Sequence, residues 1–312
     1  MKIKIFCTAL LAAAMAAAAG CSINTNESNA ASNAESTAES AAAADGSSSA
    51  AEAETSAAAE DDSMETPDEN AASVTLNGSG AELSAGAAGV SAEGGTVTVS
   101  AAGDYTFTGT LDDGQIIVDA PKDAKVDIYL NGVTVNCSGS APIKILQADG
   151  VTLHLAEGSV NTFTDGAASD TNACISSKDD LTIKGKGKLV VTGSTKHAIK
   201  TSNDLRIKNG ELELSAKAAG LYGEDSVQLT GGNIVISSCK DGIKSVIDEG
   251  GEAGKGVVTA ENAVVDIQKA QGNGIEATTS VTVTSGSIRI HSIKQAVNCR
   301  TQQITDGTVV KY

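Results

Sequence analysis

Residues 219–244 read AGLYGEDSVQLTGGNIVISSCKDGIK, and this stretch decides the fold of the 312-residue chain. It contains three short strand-like segments, at 220–223, 227–230 and 233–237. Alternation of apolar and polar residues with a period of two is typical of strands that bury one face. Gly231-Gly232 can adopt the positive φ angles that a tight corner between strands needs. We therefore predict three short strands joined by sharp corners within one repeat.

The same pattern recurs through the C-terminal half of the chain. Each repeat has a small residue followed by an aliphatic one, and the aliphatic residues are Ile175, Ile199, Leu221, Ile243, Ile275 and Val297. Their intervals are 24, 22, 22, 32 and 22 residues, and the long interval contains a glycine-rich, charged insertion at 246–256. Because one coil cannot bury its inner face alone, a period in the low twenties indicates that coil stacks on coil.

This period predicts an all-β fold, a right-handed parallel β-helix with three short strands per coil of about 22 residues. Val, Ile and Leu side chains would fill its interior. Three earlier segments, 126–130, 133–135 and 151–155, fit the pattern less regularly and are interpreted as the first coils. Residues 97–110 are expected to form a capping region.

The N-terminus has the features of an export signal. Lys2 and Lys4 precede an apolar run at 5–19, and small residues lead up to Cys21. This segment resembles the bacterial lipoprotein lipobox, in which the cysteine is lipidated and begins the mature chain. The alternative is an ordinary signal peptide with an incidental Cys21. We expect a lipoprotein signal peptide at 1–20 and a lipid anchor at the outer face of the bacterial cell membrane.

The segment after Cys21 has almost nothing to bury. Residues 22–73 are rich in Ala, Ser, Glu and Asn and carry 12 acidic residues and no Lys or Arg. Such a composition is typical of a disordered segment. The interpretation is a spacer at 21–73 and a β-helix domain at 74–312, whose cap and first coils extend to about residue 170. The net charge of −17 lies mostly before the coils, since residues 122–312 contain 20 Lys and Arg against 21 Asp and Glu.

Four cysteines belong to the predicted domain: Cys137, Cys174, Cys239 and Cys299. An exported domain allows disulfides. The four lie at different phases of the coil, however, and their spacing matches no metal or disulfide framework. Buried free thiols in the solenoid interior are the favoured interpretation, and disulfide pairing is the alternative.

Several short motifs resemble a known family. The matching pieces are 177–183 (SKDDLTI), 240–245 (KDGIKS), 231–236 (GGNIVI), 129–133 (YLNGV) and 156–162 (AEGSVNT). Together they resemble the clostridial family of secreted β-helix carbohydrate-binding domains, which are similar in fold to polysaccharide lyases and are described as non-catalytic. The resemblance covers roughly residues 96–312. It implies a plant-type or acidic polysaccharide as partner, polygalacturonate-like or cellulose-like.

The resemblance also implies calcium held by aspartates in the turns. The matching acids, carried over residue by residue, are Asp179 and Asp180 in SKDDL, Asp241 in KDGI, and Asp204 and Asp225 at the position of the second acid of the SKDD turn. Family members often have a doubled acid before Gly-Ile, whereas this chain has Lys240-Asp241 there and no acid at all in the other coils. The alternative is that the turn aspartates cap their own backbone.

One surface column is a candidate for ligand binding. The residue after each aliphatic position should point outward, and coils stack about 4.8 Å apart. This column is Ser176, Lys200, Tyr222, Lys244, Glu276 and Asn298, preceded by Lys144. We predict ligand contacts from Lys200, Tyr222, Lys244 and Glu276, because a phenol between two ammonium groups offers a sugar ring an apolar face and its carboxylates two partners. The alternative is a solvated strand face that mixes Lys and Glu.

Catalysis is not predicted from these residues. A pectate-lyase-type reaction needs clustered carboxylates for calcium and an Arg or Lys base in the same groove. Arg206 and Arg289 are placed in different columns from the aspartates. The three histidines, His154, His197 and His291, fall at unrelated phases, so no His-centred acid/base pair is expected.

The composition of the chain also bears on other possible partners and functions. The chain has no Trp and only four Tyr and three Phe, so a flat aromatic platform for crystalline cellulose is not expected. Nucleic acid is a poor partner for a chain with this negative charge behind an export signal. A structural or adhesive solenoid lipoprotein with a protein partner is the main alternative to carbohydrate binding. A pectate-lyase-like enzyme is a weaker one.

Replacing Cys21 with Ser should release the protein from the membrane or leave it misprocessed, because serine has no thiol to carry the lipid. The measurement is the partition of the protein between membrane and soluble fractions. The matched control is Cys7→Ser, inside the predicted signal, which should still fractionate with the membrane. Complete membrane partitioning of the Cys21→Ser variant would place the anchor elsewhere.

Overall fold

The computed structural model of the protein describes residues 66–247 and 254–312. The predicted signal peptide, Cys21 and all but the end of the predicted spacer lie outside these residues. Every helix or strand assigned within the two ranges is a β-strand. A helix long and apolar enough to cross a membrane is not found among the described residues.

The described residues form 28 strands, β1 to β28 in chain order. The first fourteen are Ala72–Gly78, Ala81–Leu83, Val90–Glu93, Thr96–Val99, Gly103–Leu111, Gln115–Asp119, Lys125–Cys137, Ile143–Gln147, Gly150–Leu155, Val160–Asp165, Ala173–Ser177, Asp180–Gly185, Lys188–Gly193 and His197–Thr201. The other fourteen are Asp204–Ile207, Glu211–Ala216, Ala219–Gly223, Ser226–Leu229, Asn233–Ser238, Asp241–Ser245, Val257–Ala260, Val264–Ala270, Ile275–Ala277, Ser280–Val283, Ser287–Ser292, Val297–Asn298, Thr301–Ile304 and Thr308–Lys311.

The coils present three faces. Sheet A contains β9, β12, β15, β18, β21, β24 and β27, and sheet B contains β10, β13, β16, β19, β22, β25 and β28. Sheet C contains β3, β4, β6, β8, β11, β14, β17, β20, β23 and β26. Strand β7 pairs with β9 through its first half and with β10 through its second, so hydrogen bonding joins sheets A and B at the N-terminal end.

Parallel pairing joins the coils in the predicted register. Ile199 lies opposite both Ile175 and Leu221, and Ile243 lies opposite both Leu221 and Ile275. The predicted triple strand at 219–237 is present as β17, β18 and β19. The parallel β-solenoid is therefore confirmed, with about eight turns of roughly 24 residues. The insertion after Ile243 contributes to this average, which is longer than the predicted 22.

The interior of the coils is a continuous stack of aliphatic side chains. Ile175, Ile199, Leu221, Ile243 and Ile275 are all 0% exposed, and they belong to one buried cluster that extends from the first strand to the last coils. Burial of one such side chain contributes about 1.5–3 kcal/mol relative to leaving it exposed. The stack therefore holds each coil to its neighbours.

The N-terminal cap differs from the prediction. Residues 97–110 were expected to cap the coils, but β4 and β5 occupy this segment and pair in parallel with β6 and β7. The antiparallel pairs at this end are β1 with β2 and β3 with β4, so the cap begins earlier in the chain and reaches only the start of the predicted segment, at β4. Strand β1 begins at Ala72, within the last two residues of the predicted spacer. Hairpins at this end cover part of the edge that a parallel stack would expose.

One position of the coil carries only small residues, and in some coils only glycine fits there. It precedes the aliphatic position and is occupied by Cys174, Ala198, Gly220, Gly242, Gly274 and Ala296. A Cβ atom on Gly242 would lie 2.5 Å from both the carbonyl oxygen of Gly274 and the Cδ1 of Ile267. Neither approach is allowed for real atoms, so the coils must separate locally to accept a methyl group.

Replacing Gly242 with Ala should lower the free energy of unfolding by about 1–3 kcal/mol, the usual cost of overpacking. The control is Gly150→Ala, because the nearest heavy atom to a Cβ there is Asp180 Cβ at 3.9 Å. Urea denaturation of both variants and of the wild type measures the difference. Equal stability of the two variants would contradict the close packing at Gly242.

Candidate functional site

The predicted surface column is present on sheet C. The register places Lys144, Ser176, Lys200, Tyr222, Lys244, Glu276 and Asn298 in successive coils. All point away from the aliphatic stack because they follow the buried position of their strand. Lys200, Tyr222, Lys244 and Glu276 are therefore neighbours, as the coil spacing predicted.

Tyr222 lies between the two lysines and contacts both. The Nζ of Lys200 is 5.3 Å from the centroid of its ring, and the Nζ of Lys244 is 5.8 Å from it. Both distances allow cation–π attraction. The hydroxyl of Tyr222 donates to the carbonyl oxygen of Val246 at 3.2 Å. Because the lysines belong to the coils on either side of the ring, a ligand would meet the edge of Tyr222 rather than the free apolar face expected from the sequence.

Each lysine of the column forms an ion pair. Lys144 Nζ lies 3.4 Å from Asp170 Oδ2. Lys200 Nζ lies 2.6 Å from Glu224 Oε1, and Lys244 Nζ lies 3.0 Å from Glu276 Oε2, each glutamate coming from the next coil. The sequence did not predict this pairing. The column is therefore rich in charge but locally close to neutral.

His197 belongs to the same cluster, and sequence reasoning missed it. Its ring centroid lies 5.1 Å from that of Tyr222, and its Nδ1 accepts the backbone N–H of Ala219 at 3.0 Å. Burial lowers its pKa to about 4, with Lys200, Lys244 and Lys196 contributing in the same direction. The repeat could have indicated this contact. Ala219 occupies the position of His197 in the next coil, and its small side chain leaves the imidazole room to reach Tyr222.

In other coils, too, the residue at the position of His197 accepts a backbone N–H of the following coil. One coil carries Asp241 there, whose Oδ1 accepts the N–H of Asn273 at 2.9 Å. The next carries Asn273, whose Oδ1 accepts the N–H of Gln295 at 3.3 Å. A side chain before Gly-Ile or Ala-Ile thus caps the backbone of the following coil. Asp241 is buried and already used in this way, which fits the capping alternative.

The other four predicted calcium ligands are also engaged. Asp179 Oδ2 accepts the N–H of Ala148 at 3.1 Å, and Asp225 Oδ2 lies 2.9 Å from Lys255 Nζ. Asp180 Oδ2 lies 2.7 Å from the guanidinium of Arg206, which also pairs with Asp204. Arg206 lies in the column of Thr182 and Gln228 rather than in that of the aspartates, as predicted. Its side chain nevertheless reaches both Asp180 and Asp204.

These contacts do not fit a calcium site well. The carboxylates receive backbone hydrogen bonds or neutralise cations, so each already has a partner within the chain. Among residues 66–247 and 254–312, no three His, Cys, Asp or Glu side chains are grouped so that they could hold a metal. Calcium at Asp179, Asp180, Asp204, Asp225 and Asp241 stays a prediction that the arrangement does not favour.

A second histidine, His154, pairs with a carboxylate, which the sequence analysis did not expect. His154 Nε2 on β9 lies 2.7 Å from Asp127 Oδ1 on β7, and the His154 ring stacks on Tyr129 at 4.1 Å between centroids. The expectation that no histidine pairs with an acid is therefore wrong. Both rings are buried, however, so the pair stabilises the first coils rather than facing a groove.

A cleft of about 420 Å³ lies at the N-terminal end of the solenoid. Its lining includes Asp113, Gln115, Cys137 and Ser140 but none of the predicted site residues. Ser140 accepts a hydrogen bond from Lys144 at 3.3 Å, which connects the cleft to the start of the column. The cleft is open and shallow, so the column itself remains the candidate site.

The four cysteines of the domain are free. Cys137, Cys174 and Cys239 are buried, as the interpretation of interior thiols predicted, and Cys299 is partly exposed. Burial raises the pKa of Cys239 to about 12. Its thiol is therefore protonated at neutral pH and a poor nucleophile or metal ligand.

Fold and site together define a parallel β-solenoid with one outward-facing, mostly half-buried column that contains lysines, a glutamate and a tyrosine. A family model described as carbohydrate-binding domain-containing protein matches residues 93–310. The chain belongs to this family of carbohydrate-binding domain-containing proteins.

The chain is similar to two known proteins. A protein of Acetivibrio thermocellus with the same description is 41% identical over 128 residues, 38% of this chain and 45% of that protein, so the match spans less than half of the relative. A solved structure described as the polysaccharide lyase-like protein from C. thermocellum, gadolinium derivative, has a TM-score of 0.74 and 33% identity. It covers 78% of this chain and 100% of that chain. The resemblance drawn from short motifs is confirmed.

Acidification should destabilise the fold in part through His197. Its pKa is about 4 in the folded state against 6.5 ordinarily, so the unfolded chain binds more protons between these values. Stability is therefore lost as pH falls from 6.5 to 4, by up to about 3 kcal/mol from this group. His197→Asn should reduce the loss, because Asn keeps the backbone acceptor, as Asn273 does, and does not titrate.

Urea midpoints at pH 7, 5.5 and 4 measure this effect. The matched control is His291→Asn, since His291 is exposed and should leave the acid-induced loss of stability nearly unchanged. The same slope with pH in wild type and His197→Asn would contradict the burial of a neutral imidazole.

Proposed function

We propose that this protein binds an acidic polysaccharide such as polygalacturonate along the sheet C column, and does so without cleaving it. The main observation in support is the alignment of Lys200, Tyr222 and Lys244 in consecutive coils. Membership of the carbohydrate-binding domain family supports the ligand class. Lipid on Cys21 would hold the domain at the outer face of the cell membrane.

The spacing of the column suits an extended polymer. Lys200 and Lys244 are two coils apart, about 10 Å at the usual strand spacing. This is close to the repeat of a disaccharide, so alternate uronate carboxylates can engage one lysine each. Such charge-assisted hydrogen bonds are stronger than neutral ones. The column runs through seven successive coils, so a polymer chain can continue beyond Lys200 and Lys244 in both directions.

The arrangement offers little for catalysis. A lyase must remove a proton beside a neutralised carboxylate, and this requires a base of suitable pKa next to clustered cations or metal ligands. His197, at a pKa of about 4, is a weak base, and its Nδ1 already accepts a backbone N–H. Lys200 and Lys244 are ion-paired. Binding without turnover is the function these groups support best.

Removing both lysines should weaken retardation in polygalacturonate affinity gels. Each charged contact at a surface contributes about 0.2–1 kcal/mol, so Lys200→Ala with Lys244→Ala should bind about two- to thirtyfold more weakly. The matched control is Lys122→Ala with Lys125→Ala, which removes the same charge at exposed positions away from sheet C. Mobility in each gel is compared with mobility in a gel without polymer.

Three other outcomes separate the alternatives. Loss of retardation only with a chelator would point to calcium at the turn aspartates. No retardation under any condition would contradict the proposal and favour the structural or adhesive solenoid. Unsaturated sugar products, detected by their ultraviolet absorbance, would instead identify a lyase.

A further inference from the structure

Two glutamates occupy the places that ligand carboxylates would need beside the lysines of the sheet C column. Glu224 pairs with Lys200 at 2.6 Å and Glu276 pairs with Lys244 at 3.0 Å. Both glutamates come from the coil after their lysine. The two ammonium groups on which the proposed function depends are therefore already neutralised from within the chain.

Burial shows which partner can leave in the Lys200–Glu224 pair, whereas Lys244 and Glu276 are about equally exposed, at 23% and 25%. The side chain of Glu224 is 39% exposed, whereas that of Lys200 is 10% exposed. The glutamate thus lies on the outside and the lysine beneath it. Lys200 also contacts the ring of Tyr222, which holds its ammonium group in place. Glu224 is the more exposed partner, so rotation of its side chain into solvent would uncover the lysine.

We propose that Glu224 and Glu276 act as internal competitors that a polyuronate must displace, so that they set the affinity and the charge selectivity of the column. This inference rests on the proposed function. Displacement exchanges one carboxylate for another on the same ammonium group, and the net gain per site is small. A neutral polysaccharide cannot make this exchange, because a hydroxyl group does not replace the charge of a carboxylate.

The test uses the full-length chain in affinity gels that contain polygalacturonate. Glu224→Gln with Glu276→Gln should bind roughly two- to fivefold more tightly than wild type, since an ion pair of this exposure is worth little and glutamine does not compete for it. The gain should diminish at high salt, because screening weakens the contact with the polymer. Replacement of the lysines acts in the opposite direction.

The chain supplies a matched control on another face. Lys188 on sheet B pairs with Glu211 at 3.2 Å and with Glu213 at 2.5 Å. Glu211→Gln with Glu213→Gln makes the same change in net charge and removes the same kind of ion pair away from the column. It should leave retardation by polygalacturonate unchanged. The single Glu276→Gln variant guards against misfolding, since Lys244 is more exposed than Lys200 and tolerates the loss of its partner.

Each possible result either supports or contradicts the exchange of carboxylates on the lysines. Tighter binding by the sheet C variants, with no gain in the sheet B control or in a gel of neutral hydroxyethyl cellulose, supports the exchange. An equal gain in the control, a gain on the neutral polymer, or unchanged or weaker binding would overturn it while leaving the proposed function intact. Retardation of neither wild type nor variants would overturn both.

Discussion

The register between neighbouring coils is the constraint on which the rest of the structure depends. Aliphatic side chains such as Ile199, Leu221 and Ile243 stack directly on one another inside the solenoid, and parallel hydrogen bonding follows that stack. Because side chains alternate along a strand, a slip of one residue would turn the buried set outward. The hydrophobic stack therefore fixes the position of every outward residue as well.

This constraint turns distant residues into neighbours at a regular spacing. Lys200, Tyr222 and Lys244 are 22 residues apart in sequence at each step, yet they form one contact group on sheet C. The same repetition places a glutamate within reach of each lysine, because the next coil passes close beside it. A surface built this way presents charge in a row but neutralises much of it internally. Recognition by such a surface is expected to be weak at each site and to gain from the repetition of the polymer.

Polar residues at the corners of the coils form hydrogen bonds and ion pairs within the chain. Asp241 and Asn273 accept N–H groups of the following coil, and Asp180 and Asp204 are tied to Arg206. Turn aspartates with these partners cost little to bury and hold the corners in place. The same residue types in the same turns would also suit a cation, which is why sequence motifs alone could not separate capping from metal binding.

The sequence by itself determined the solenoid, its coil register and the column that contains Lys200, Tyr222 and Lys244. These follow from a period and from alternation, both of which are local and repeat many times along the chain. Only the tertiary structure decided the partners of each side chain. The long side chains of Glu224 and Arg206, and the ring of His197, can reach in several directions. Their contacts depend on distances of a few ångströms between coils, and no spacing in the sequence encodes those distances.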